Sequence, residues 1–129
     1  MNIFVTRKIP SEGVVLLIDH KYDVTVSEKD GVLTKEELIT ALKKKEYDAV
    51  LCLLTDTIDA EVFDAAPKAK IFANYAVGFN NIDLVAAKAR GITITNTPDV
   101  LTDSVAEFTF TLLLAISKRI VESDVFMRA

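Results

Sequence analysis

The chain has 129 residues, of which half are hydrophobic and 26% charged, with a formal net charge of -4. That size suits one compact domain, residues 1–129, and the balance of apolar and charged residues excludes a disordered chain. A net negative charge argues against a nucleic-acid or anionic-membrane partner, because such surfaces are bound through an excess of Lys and Arg.

The single cysteine, Cys52, excludes an internal disulfide. Within its apolar run it reads as a small core residue in a reducing compartment, which points to the cytoplasm. The opening Met-Asn-Ile-Phe-Val-Thr-Arg does not read as an export signal, and no apolar stretch approaches the length of a membrane span.

In chain order, Asn2 to Val5 reads as a first strand and Ser11 to His20 as a helix, with Pro10 suited to its start. Tyr22 to Val26 is a second strand. Thr34-Lys-Glu-Glu37 has capping-box spacing and predicts a helix to about Lys45. Ala49 to Leu54 is a Val/Leu-rich run, as expected of a central parallel strand covered on both faces. A short helix from Asp59 to Ala66 ends at Pro67. Strands Lys70 to Ala73 and Ile92 to Thr95 flank a helix from about Asn81 to Arg90, which Gly91 terminates through a positive φ. A last helix begins near Thr102 to Ser104, where Ser104-Val-Ala-Glu107 is a second candidate capping box, and runs to about Met127.

Five strand–helix units predict an α/β fold with a flavodoxin-like parallel sheet of order 2-1-3-4-5 and helices on both faces, since right-handed crossovers leave few alternatives. Ligands in such sheets bind beyond the carboxyl ends of the strands. The last helix is apolar nearly all round: Phe108, Leu112, Ala115 and Ile116 form one stripe, and Ala106, Phe110, Leu113 and Leu114 lie on other faces. That surplus implies either a partner surface or unusually deep packing at home, and the pattern favours the partner.

Two segments fall at the carboxyl edge. Asn74-Tyr-Ala-Val-Gly-Phe-Asn-Asn-Ile-Asp83 follows the fourth strand, where Gly78 permits close backbone approach and the amides of Val77 and Gly78 can nest a small carboxylate. On the residues alone a plain turn, with Asn80 or Asn81 as helix cap, is the simpler reading. Leu54-Thr-Asp-Thr57 follows the third strand; Thr55 can hydrogen-bond a polar ligand, or the segment can be only a turn and a cap.

Other chemistries find little support. Asp56 sits where receiver domains accept phosphate, but Thr6-Arg-Lys8 offers no acidic pair for magnesium after the first strand. That same loop is poor for a flavin phosphate. The four glycines, Gly13, Gly31, Gly78 and Gly91, are too scattered for a dinucleotide fingerprint or P-loop. His20, the only histidine, reads as a solvated helix-end residue, so neither a zinc site nor a catalytic triad can be assembled.

Phe4-Val-Thr-Arg-Lys-Ile-Pro10, Ile58-Asp-Ala-Glu-Val-Phe-Asp-Ala-Ala-Pro67, Asn74-Tyr-Ala-Val-Gly78 with Asn81-Ile-Asp83, Gly91-Ile and Thr95-Asn-Thr-Pro-Asp-Val-Leu-Thr102 together resemble D-2-hydroxyacid dehydrogenases of the glyoxylate/hydroxypyruvate reductase type. The resemblance spans nearly the whole chain. It implies that the Val77 and Gly78 amides meet a substrate carboxylate and that Leu54 and Thr55 line the same cleft. It also implies that Val100, Leu101 and the start of the last helix, including position 105, approach the nicotinamide of NAD(P)H. Val105 departs from the threonine that related sequences commonly place there, which puts that cofactor contact in doubt.

By the same resemblance, the glycine-rich fingerprint, the substrate-clamping arginine and the glutamate–histidine acid–base pair belong to sequence beyond Ala129. The expectation is therefore a substrate-binding domain that lacks the cofactor domain, binds no cofactor itself, holds a small 2-oxo or 2-hydroxy acid weakly and forms a homodimer through its last helix. Two other readings remain: an enzyme half that is active once a separate cofactor half is supplied, and a stand-alone module for small carboxylates.

Overall fold

The structure, a computed structural model, describes every residue from Met1 to Ala129. The strands are β1 (Asn2–Val5), β2 (Asp23–Val26), β3 (Ala49–Leu53), β4 (Ile71–Tyr75) and β5 (Thr93–Thr95). All pair in parallel, in the order β2-β1-β3-β4-β5, as the alternation of strand and helix patterns predicts. The helices are α1 (Ser11–Asp19), α2 (Lys35–Lys43), α3 (Ala60–Ala65), α4 (Leu84–Ala89), α5 (Thr102–Ser117) and α6 (Ile120–Arg128). The chain divides into two compact units, Met1–Thr97 and Pro98–Ala129.

In the first unit, side-chain alternation along each strand sorts the core onto two faces. Phe4, Val50, Cys52 and Phe72 join Leu38 and Leu42 of α2, Val62 and Phe63 of α3 and Ala86 and Ala87 of α4 in the larger cluster. Phe63 meets Phe72 edge to face, with ring centroids 4.9 Å apart, a favoured aromatic geometry. Ile3, Val5 and Ala49 form the smaller cluster on the α1 side, with Leu17, Leu51 and Ile71 partly buried against it.

The helix boundaries follow local chemistry. Thr34 closes the expected capping box: its Oγ1 accepts from the Glu37 amide at 3.2 Å, and Glu37 Oε2 accepts from the Thr34 amide at 2.8 Å. Gly91 has φ +65° behind α4, as expected for a helix stop. The start of α4 differs from the expectation. The helix begins at Leu84 with Asp83 as its cap, accepting from the Ala86 amide at 2.9 Å, because Asn81 is engaged elsewhere. Strand β4 runs two residues past Ala73, so Asn74 and Tyr75 belong to the sheet.

In the second unit, the expected single helix is two. Arg119 adopts a left-handed conformation, φ 51° and ψ 41°, which ends the ladder of α5 and starts α6 in a new direction. The Ser104 capping box does not form: α5 starts at Thr102, which leaves Ser104 inside its first turn with no side-chain cap. Neither helix buries a residue, and Phe108, Phe110, Leu113 and Ile116 stay exposed. No helix is long and apolar enough to cross a membrane.

Removing the Thr34 hydroxyl leaves the Glu37 amide unpaired at a helix start, so Thr34→Ala is expected to lower stability by about 1 kcal/mol in urea titration. Burial, followed by the nearby Asp56 charge, pushes the Cys52 thiol up to about 12. An unfolded thiol titrates near about 8.5. Between those values the unfolded chain releases the proton and the folded chain keeps it, so the contribution is complete below the lower value and is lost as pH rises. Stability should fall by up to about 1.4 kcal/mol per pH unit from this group. Urea midpoints at pH 7 and pH 10.5 should show the decline in the unsubstituted chain and a smaller one in Cys52→Ala.

Candidate functional site

At the carboxyl edge of the sheet the larger core face turns from apolar to polar. In register, Phe4, Val50 and Phe72 form an apolar row, while the next rung pairs Cys52 with Asn74 and lies beside Thr6, just past β1. Thr6, Cys52, Asp56 and Asn74 are all buried. Such groups are tolerable only when hydrogen-bonded, and no buried side-chain polar atom here lacks a partner.

Asp56 Oδ2 accepts from Thr6 Oγ1 at 2.5 Å and from the Leu53 amide at 2.8 Å. That carboxylate is thus committed to holding the β1 end against the β3 loop, and is not a free base or phosphate acceptor. No group of His, Cys, Asp or Glu side chains is arranged to bind a metal. His20 is exposed at the end of α1, where its Nδ1 lies 2.8 Å from the Leu16 carbonyl oxygen.

The turn after β4 has its carbonyls tied down. Asn74 O accepts from the Ala76 amide at 2.8 Å, and Ala76 O from the Thr97 amide at 2.9 Å. Val77 O accepts from Asn96 Nδ2 at 2.7 Å, and Gly78 O from Asn74 Nδ2 at 2.9 Å. The amides of Val77 and Gly78, by contrast, have no acceptor in the protein, and both residues are exposed. Adjacent free N–H groups on a fixed turn are the equipment for binding a small anion.

The β3 loop lies against this turn. A Cβ placed on Gly78 would stand 3.8 Å from Leu54 Cδ1 and 3.4 Å from Asn80 Oδ1, ordinary contact distances that put Leu54 beside the glycine. Leu54 is 50% exposed and Thr55 is also exposed, with no hydrogen-bond partner for the Thr55 hydroxyl. The structure therefore brings Leu54, Thr55, Val77 and Gly78 together on one edge. Tyr75 and Phe79, each 50% exposed, add apolar surface there that the motif reading did not single out.

This edge is open and not enclosed. A hollow of about 180 Å³ beside the turn is lined by Phe79, Leu84, Ile94 and Asn96. A larger groove, about 500 Å³, lies between β2 and α2, lined among others by Thr25, Ser27, Thr40 and Tyr47. Val100, Leu101 and Val105 lie together at the head of α5, where the Val105 amide donates to Leu101 O at 2.9 Å, and all three side chains are exposed.

Comparisons with known proteins identify relatives of the chain and of its fold. Residues 3–123 match the profile of the D-isomer specific 2-hydroxyacid dehydrogenase catalytic domain. A glyoxylate reductase of Thermococcus kodakarensis is 47% identical over 128 residues, covering 99% of this chain and 38% of the relative. A crystallised protein of Thermus thermophilus superposes with a TM-score of 0.87 at 36% identity, covering 99% of this chain and 40% of that one. An NAD+-bound 3-phosphoglycerate dehydrogenase of Entamoeba histolytica superposes with a TM-score of 0.74 at 26% identity, covering 89% and 38% of the respective chains. The chain thus spans about two-fifths of the length of these relatives. It belongs to the D-isomer specific 2-hydroxyacid dehydrogenase family, matching the N-terminal portion of its glyoxylate reductases.

Proposed function

We propose that these residues form the substrate-binding part of an NAD(P)H-dependent reductase that converts glyoxylate or hydroxypyruvate to the D-hydroxyacid, and that they are catalytically incomplete by themselves. The observation that carries the reading is the pair of unpaired amides at Val77 and Gly78, with Leu54 and Thr55 beside them. The amides bind the carboxylate, Thr55 offers a hydroxyl to a neighbouring oxygen, and Leu54 excludes water from one side.

Family members are NAD(P)-dependent dehydrogenases, and the cofactor supplies the hydride. This chain's residues do not fit a dinucleotide's phosphates: glycines at 13, 31, 78 and 91 cannot cradle a pyrophosphate, and Val100, Leu101 and Val105 present apolar side chains. Nor does this edge hold an acid for the forming alkoxide, since Asp56 is buried and paired and His20 caps α1. Cofactor and acid come from residues outside this chain. The uncovered apolar side chains of α5 serve a homodimer contact, and the sole, buried thiol of Cys52 suits the cytoplasm.

Two amides without a cation bind a carboxylate weakly. Glyoxylate added to the 15N-labelled chain should shift the Val77 and Gly78 amide resonances with half-saturation in the millimolar range, about -4 kcal/mol. Absence of any shift at these two residues would sink the carboxylate reading. NADPH oxidation by the chain alone should stay at background, and measurable turnover would refute incompleteness. Light scattering behind size exclusion should give twice the chain mass, whereas a monomer would refute the helix-mediated dimer.

A further inference from the structure

The carboxyl edge holds one side chain that touches both loops. Asn81 Nδ2 donates to Leu53 O at 3.1 Å and to Asp56 O at 3.0 Å, the two carbonyls that bracket Leu54 and Thr55. Its Oδ1 accepts from Asn74 Nδ2 at 3.1 Å, and the same Nδ2 donates to Gly78 O at 2.9 Å. Two acceptor carbonyls on one nitrogen fix which end of the Asn81 amide is which, since only the NH2 group can donate twice.

Backbone bonds hold the Asn81 backbone in place. Ile58 N donates to Asn81 O at 2.9 Å, and Asp83 N donates to Ile58 O at 2.9 Å, a short parallel bridge between the segments after β3 and β4. Asn74 is held as well, with its Oδ1 accepting from the Cys52 thiol at 3.6 Å. A continuous chain of hydrogen bonds therefore runs from the Gly78 carbonyl through two amides to both ends of Leu54–Thr55.

We propose that Asn81 is a positioning residue for substrate: it sets the β3 loop and the β4 turn at a fixed separation, so that a carboxylate on the Val77 and Gly78 amides also meets Leu54 and Thr55. This rests on the carboxylate reading given under Proposed function. Asn81 does not touch the ligand. Its amide replaces the water that would otherwise solvate the Leu53 and Asp56 carbonyls, and a loop whose carbonyls are pinned keeps its N–H groups and side chains in one place.

The test is the glyoxylate titration of the 15N-labelled chain, read at four amides and repeated on three variants. In the unsubstituted chain, Leu54, Thr55, Val77 and Gly78 should shift with one common half-saturation. Asn81→Ala should raise the half-saturation at Val77 and Gly78 at least tenfold and abolish the response of Leu54 and Thr55. Asn81→Asp, which keeps the volume but puts an acceptor against two carbonyls, should behave like Asn81→Ala. Thr34→Ala, which weakens the fold through a helix cap whose side chain bonds only the Glu37 amide and neither loop, should titrate like the unsubstituted chain, so that a general loss of stability is told apart from a loss of positioning.

No shift at Val77 and Gly78 in the unsubstituted chain would overturn both the carboxylate reading and the role of Asn81. Equal binding and an undivided response in Asn81→Ala would overturn the role of Asn81 and leave the carboxylate reading standing. An equal weakening in Asn81→Ala and Thr34→Ala would also overturn it, as would an Asn81→Ala chain that does not fold when Asn81→Asp folds and binds normally.

Discussion

The fold depends on a central strand that is buried on both faces. β3 has Val50 and Cys52 turned to one core and Ala49 and Leu51 to the other, and only helices can cover a parallel strand so placed. Each parallel pair then requires a crossover, and every crossover starts from the same edge. The chain has no choice but to gather the ends of β1, β3 and β4 side by side. A shared edge of strand ends and loops follows from the requirement to bury β3, before any ligand is considered.

What makes that edge usable is the change from dispersion to directed bonds over one rung. Below it, Phe4, Val50 and Phe72 hold the sheet through packing, which is insensitive to small displacements. At the rung of Cys52 and Asn74, the same face carries amides, a hydroxyl and a carboxylate whose partners are fixed to within a few tenths of an ångström. Leu54 and Gly78 are brought together by these bonds, since the loops that carry them bury little apolar surface of their own.

Much of this architecture was legible in the sequence because it is written in short-range pattern. Thr34 and Glu37 are three residues apart, Gly91 ends its own helix, and the apolar run around Cys52 announces a covered strand. The two loops at the carboxyl edge were also legible, from their place after strands and from the resemblance of their residues to a known family. Asn81 was not: three residues before a helix it looks like a cap, and its partners, Leu53 O and Asp56 O, lie 28 and 25 positions back. The link between Thr6 and Asp56, 50 positions apart, was hidden for the same reason. The break at Arg119 escaped because neither Gly nor Pro marks it; a left-handed arginine has no compositional signature.

The two faces of the sheet are unequally covered. Against one, α2, α3 and α4 each contribute buried side chains, whereas α1, on the other, has none. Local opening costs least where least apolar area is exposed by it, so the free energy of opening should vary across the sheet and not be shared evenly. The α1 segment is then a natural breathing element, with amide protons that exchange through small excursions, while the protons of β3 wait for global unfolding. The carboxyl edge is tied to the slow side: Asn74 and Asn81 bond into β3 and its loop, and the helices that flank them pack on the larger core. Fluctuations of α1 can therefore come and go without disturbing the loops that would receive a ligand.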